Sequence, residues 1–221
     1  MKHVFLSHPI TERLPVYGGV VTQVPERIRS ISKGDSANTY RFTIENHWGT
    51  HVDGPNHFFE NGMKIADYPA DHWFFNSPAV IRVELGCSEM LRAGRWMEEI
   101  TLTNDCVIFQ SGWTKRRNEK SYTEENPGIH PEVAFGLRRA FPGVRAIGID
   151  WISVSPIRDR RTGRETHRAF LDPEGTNDPV LIIEDMNLPM ERSELRQLIV
   201  LPLIIEGLDS APCTVIGGLD D

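Results

Sequence analysis

Residues 47–57 read His-Trp-Gly-Thr-His-Val-Asp-Gly-Pro-Asn-His, three histidines and an aspartate within eleven positions. His47, His51, Asp53 and His57 all carry odd numbers. Side chains alternate along an extended chain, so in an extended segment all four share one face. A helix would set His47 and His51 one turn apart, but Gly49, the β-branched Thr50 and Val52, and the Gly54-Pro55 pair oppose it. Six fully extended residues of about 3.3 Å each hold His47 roughly 20 Å from Asp53, whereas bonds to a shared ion are about 2.0–2.2 Å. The segment therefore has to bend, and its glycines are where it can.

Imidazole nitrogens with a carboxylate suit Zn²⁺, Mn²⁺ or Fe²⁺, and three protein ligands leave a position open for water. An ion in such a site lowers the pKa of bound water towards about 7 and polarises a carbonyl, which together amount to hydrolysis of an amide, ester or lactone. Two other readings use the same residues. His51 and Asp53 with the distant His167 form the letters of a non-haem iron oxygenase triad, although His47 and His57 then have no role. A metal that merely pins a loop in a non-catalytic binding protein is the third.

The rest of the chain limits the setting. Its 221 residues match one large domain or two small ones at roughly 150 residues each, and no linker, repeat or low-complexity segment divides them, so 1–221 reads as one domain. Short Val- and Ile-rich runs at Val4–Leu6, Thr39–Ile44, Ala79–Leu85, Cys106–Gln110, Arg145–Ile149, Val180–Ile183, Leu198–Ile205 and Thr214–Ile216 have strand length. Pro131–Phe141 places Val133, Ala134, Leu137, Ala140 and Phe141 at helical spacing, with Pro131 at the start and Pro142-Gly143 as the stop. The expected fold class is mixed α/β around a sheet. The basic runs Lys115–Arg117 and Arg158–Arg164 lie among turn residues and read as solvated loops. By parity Trp48 and Phe58 point away from the metal face, and Trp73, Phe74, Phe75 and Trp151 read as core. Acidic residues outnumber Lys and Arg by 31 to 24, a net charge of -7 that repels phosphate backbones and anionic lipid, so neither nucleic acid nor membrane is an expected partner. The longest apolar run, near Leu198–Ile205, is broken by Pro202 and falls short of the roughly 20 residues that span a bilayer. No secretory signal can be drawn at the N-terminus, and Cys87, Cys106 and Cys213 read as buried free thiols, so the expected location is cytoplasmic.

The pattern His-x-Gly-Thr-His-x-Asp-x-Pro-x-His resembles the signature of the cyclase family of metal-dependent hydrolases, which includes bacterial kynurenine formamidase and isatin hydrolase. Leu6–Ile10, Val16-Tyr17-Gly18, Gly148-Ile149-Asp150, Leu201-Pro202-Leu203 and Leu208–Pro212 are similar to further family segments. The resemblance implies a swivelling β/α sandwich, homo-oligomers (dimer or tetramer), and one or two Zn or Mn ions per subunit. It implies that His47, His51 and Asp53 bind the first metal, that His57 transfers protons, and that Asp53 bridges to a second ion held by His167 and Glu184. Tyr17 is implied as an aromatic substrate contact, and the substrate as a small amide such as N-formylkynurenine or isatin. Two departures stand out. The interval from His167 to Glu184 is 17 residues and contains the turn-rich stretch 172–177. Ser155 stands where formamidases often carry Asp.

Overall fold

Cys106–Gln110, Ala146–Ile149 and Leu181–Glu184 are buried along their whole length, with no face turned to solvent. Such strands belong in the parallel part of a sheet covered on both sides. The computed structural model, which describes residues 1–188 and 195–220, places them there as neighbours. In chain order the strands of the main sheet are β1 (Lys2–Phe5), β2 (His51–Asp53), β3 (Phe74–Phe75), β4 (Pro78–Arg82), β5 (Cys106–Gln110), β6 (Ala146–Ile149), β7 (Leu181–Glu184), β8 (Leu195–Pro202) and β9 (Ser210–Leu219). Their spatial order is β3-β8-β9-β2-β7-β6-β5-β4, with β1 also paired to β9. β4 to β7 run parallel, and the remaining pairs are antiparallel. Because β3 and β4 stand at opposite ends of that order yet are close in sequence, the sheet curls until its ends nearly meet.

Alternation along each buried strand divides its side chains between two cores. Val107, Phe109, Ile147, Ile149 and Ile182 face the helices, and Cys106, Ile108, Ala146, Leu181 and Ile183 face the inside of the curl, with Val52, Leu198, Val200 and Val215. Each large side chain so buried contributes about 1.5–3 kcal/mol. The helices are α1 (Lys120–Glu124), α2 (Pro131–Ala140) and α3 (Arg160–Leu171). α2 lies where the periodicity places it and buries Val133, Ala134 and Leu137, while Ala140 stays exposed. Its buried Arg138 donates to the carbonyls of Ala169, Asp172, Thr176 and Asn177, which ties the turn-rich stretch after α3 to the helix layer.

Several expectations are corrected. Arg158–Arg164 is not a loop: Asp159 accepts from the Thr162 amide at 3.1 Å and caps α3, which carries Arg160–Arg164 in its first turns. Arg117 is not solvated either, since its guanidinium grips the buried Asp185 carboxylate at 3.0 and 2.7 Å. The run at Thr39–Ile44 yields only Thr39–Arg41, an exposed strand paired with Glu26–Arg29 outside the main sheet. Cys87 is exposed, whereas Cys106 is buried and Cys213 half-buried. Trp73, Phe75 and Trp151 are core, but Phe74 is exposed. Among the described residues no helix is long and apolar enough to cross a membrane.

Candidate metal and active site

β2 is three residues long, and its pairing decides what meets at the centre. Antiparallel register with β7 sets His51 opposite Glu184 and Asp53 opposite Ile182. Before β2 the chain turns sharply at Gly49, whose φ of +69° is a left-handed conformation that L side chains rarely adopt, and this turn brings His47 back over Asp53. After β2, Pro55–His57 forms one tight helical turn that returns His57 to the same side. The extended segment with bends at glycine is thus confined to His51–Asp53, and the flanking turns gather the outer two histidines. α3 closes the site with His167.

The donor atoms lie at separations suited to a shared ion. Asp53 Oδ1 is 3.1 Å from His47 Nδ1 and 3.5 Å from His51 Nε2, and its Oδ2 is 3.7 Å from His167 Nε2. Glu184 Oε2 is 3.5 Å from His51 Nε2, and its Oε1 is 3.5 Å from His167 Nε2. Donors around a tetrahedral ion with bonds of about 2.0–2.2 Å stand about 3.3–3.6 Å apart. Among the described residues two compact triplets occur, His51, Asp53 and Glu184, and His47, Asp53 and His57, so Asp53 belongs to both. His47 and His51, the implied partners of Asp53 in a first triplet, both approach its Oδ1, but the compact groups set His51 with Glu184 and His47 with His57. The outer ring nitrogens are already engaged: His51 Nδ1 lies 2.9 Å from the Gly49 carbonyl and His167 Nδ1 2.8 Å from the Gly163 carbonyl. Both rings therefore present an unprotonated Nε2 inward when neutral, as metal-binding histidines do. Glu184 is held by the Ser153 hydroxyl at 3.0 Å and the Val154 amide at 2.7 Å. Asp53 Oδ1 is buried without an aligned hydrogen bond, an arrangement that a cation would satisfy.

The electrostatics match an acidic cradle. Burial works against a charged His47, but Asp53 and Asp209 outweigh it and raise its pKa to about 10. Burial likewise opposes charge on Asp53, and His51 and His47 overcome it and hold the carboxyl well below the usual range. His167 is raised despite its burial, by Glu184 and Asp53.

Asp209, in the segment Leu208–Pro212, joins the site although no local motif marks it. Its Oδ2 lies 2.7 Å from His57 Nδ1, and Asn46 donates to its Oδ1 at 2.8 Å. Phe58 is a correction: the chain leaves extended geometry at Pro55, strand parity lapses, and the ring stacks on His167 at 5.1 Å. Trp48 is absent from the site's lining and borders a separate surface pocket with Gln23 and Arg41. The cavity over the site is about 330 Å³, within the small-molecule range, and Tyr17, Phe58, Ile152, Ser155, Arg160 and Arg164 form its walls. The Tyr17 hydroxyl donates to Ser155 Oγ at 3.3 Å. Gly163 lets α3 sit this close, since a Cβ there would fall 2.6 Å from Ser155 Cα. Gly163→Ala is expected to cost about 1–3 kcal/mol and lower Tm by about 2–12 °C. A thermal melt checks it, and the shift of α3 should also lower metal content.

A mixed α/β fold with a curled sheet thus encloses a histidine–carboxylate cluster that has the donor chemistry of a divalent-metal site. Residues 4–156 match the family model described as "Putative cyclase", and the chain belongs to this cyclase family. It is 27% identical over 215 residues to kynurenine formamidase of Geobacillus thermodenitrificans (strain NG80-2), covering 94% of this chain and 92% of the relative. Its fold matches isatin hydrolase A from Labrenzia aggregata bound to benzyl benzoate, with a TM-score of 0.78 at 19% identity over 98% of this chain and 93% of the other. An isatin hydrolase bound to the product analogue thioisatinate has a TM-score of 0.76 at 16% identity, covering 99% and 92%.

Proposed function

We propose that the chain is a metal-dependent hydrolase acting on a carbon–nitrogen bond in a small arylformamide or cyclic amide. The observation that carries the reading is Asp53: buried, with one oxygen turned to His47 and His51 and the other to His167, beneath a cavity of small-molecule size. His47, His51 and Asp53 would hold a first ion, and His167 and Glu184 with Asp53 a second. A divalent ion in this nitrogen and oxygen set, Zn²⁺ or Mn²⁺, supplies acidified water and a polarised carbonyl. His57 is the residue placed to pass a proton to the leaving nitrogen, and Asp209 on its Nδ1 fixes the tautomer that leaves Nε2 for the task. Phe58 and Tyr17 line the cavity and would contact an aromatic substrate there. Similarity to kynurenine formamidase and isatin hydrolase supports the substrate class. In this reading the protein is a cytoplasmic homo-oligomer; its free thiols suit a reducing compartment.

Metal-replete protein is expected to hydrolyse at least one of N-formylkynurenine, isatin and formanilide. Tyr17→Ala should raise KM about two- to tenfold, the worth of an aromatic contact, and lower kcat less. Turnover of aliphatic esters or lactones alone would remove the arylformamide reading, and iron-dependent oxygen consumption would replace hydrolysis altogether.

A further inference from the structure

α3 carries four arginines, and their surroundings differ. Arg161 pairs with Glu165 at 3.2 Å, and Arg168 lies over the Phe59 ring at 4.3 Å while donating to the Phe58 carbonyl. Arg160 and Arg164 have no carboxylate partner among the described residues, and these are the two that line the cavity. Spaced at i, i+4 and i+7, Arg160, Arg164 and His167 share one helix face. At a rise of 1.5 Å per residue, Arg164 stands about 4.5 Å and Arg160 about 10.5 Å along the axis from His167. The Arg160 guanidinium lies 5.5 Å from the centre of the ring of Tyr17, which also lines the cavity. The cavity lining therefore combines the carboxylates of Asp53 and Glu184 with two guanidinium groups, carried on one helix face, that pair with no carboxylate among the described residues.

We propose that Arg160 and Arg164 form an anion subsite that holds a carboxylate on the leaving, arylamine half of the substrate. The inference rests on the hydrolase reading above and narrows it. With the scissile carbonyl at the Asp53–Glu184 base, the arene extends along α3 past Phe58 and Tyr17, and a carboxylate on the ring or on a short side chain meets the guanidinium groups. Arginine presents a fork of donors matched to a carboxylate, and a charge-assisted hydrogen bond contributes about 1.5–3 kcal/mol, about ten- to a hundredfold in affinity. The protein carries -7 overall, so these cations select an anion at close range against the general field.

The test compares formanilide with its ortho- and meta-carboxylates, 2- and 3-formamidobenzoate, on metal-loaded wild type, Arg160→Gln/Arg164→Gln and the outward-facing control Arg161→Gln. Wild type should favour a carboxylated substrate at least tenfold in kcat/KM. The double variant should lose at least tenfold in that ratio, chiefly through KM, and the control should keep it. Calorimetric titration with benzoate and with neutral benzamide reads the subsite without turnover: the double variant should bind benzoate at least tenfold more weakly. A double variant that keeps both the ratio and benzoate affinity overturns the proposal. If wild type hydrolyses none of the three formamides, the arylformamide part of the hydrolase reading fails, and the benzoate titration alone then decides for or against the anion subsite. All three arginines are exposed, so the variants should melt with wild type.

Discussion

Asp53→Asn is expected to abolish both metal retention and hydrolysis. The side chain keeps its shape but loses the charge that faces His47 and His51 on one oxygen and His167 on the other. Since Asp53 belongs to both tight triplets, its loss dismantles the whole donor set, whereas removing His167 or Glu184 would spare His47 and Asp53. A ligand bound only by the folded state stabilises it, by about 2.7 kcal/mol at a concentration a hundredfold above Kd. Wild type should therefore melt at higher temperature with Zn²⁺ or Mn²⁺ than with a chelator, by about 5–11 °C for a chain of this size. Asp53→Asn should melt at one temperature in both conditions. Thermal melts with and without metal, beside an activity assay, measure this.

His57→Ala should lower kcat by about 10²–10⁴, the worth of a positioned acid or base, while metal content stays at wild-type level. Its Nδ1 is taken by Asp209 and its ring edges onto Phe58 at 4.6 Å, so the residue is held without help from a metal. Asp209→Asn should reduce kcat less, because the imidazole remains and loses only its fixed orientation. Steady-state kinetics with metal analysis on both variants separates the roles. Loss of metal together with activity in His57→Ala would make the residue a ligand, for which its place beside His47 and Asp53 leaves room.

The motif was legible because its chemistry is local: residue types, parity and bend-permitting glycines all fall within 47–57, and His47, His51, Asp53 and His57 all line the one cavity. The parallel strands were legible too, since burial on both faces leaves continuous apolar runs such as Cys106–Gln110. α3 was not. Its inward face is built from Gly163, Thr166 and His167 before Phe170 and Leu171, because it packs on a polar site as well as on an apolar core, so hydrophobic periodicity is missing where the helix begins. The Asp159 cap was the signal that could have found it. Asp209 reaches His57 across 152 residues, a contact that only β9 pairing with β2 creates, and no local pattern announces it. Arg117, beside two basic neighbours, gave no sign that Asp185 and Tyr122 would bury its head group.

The most direct test of the central claim is elemental analysis of protein purified without added metal and dialysed, wild type beside Asp53→Asn. Wild type should carry at least one divalent transition metal per chain and the variant none. Equal metal content in the two, or a metal-free wild type that hydrolyses its substrate undiminished in chelator, would contradict it.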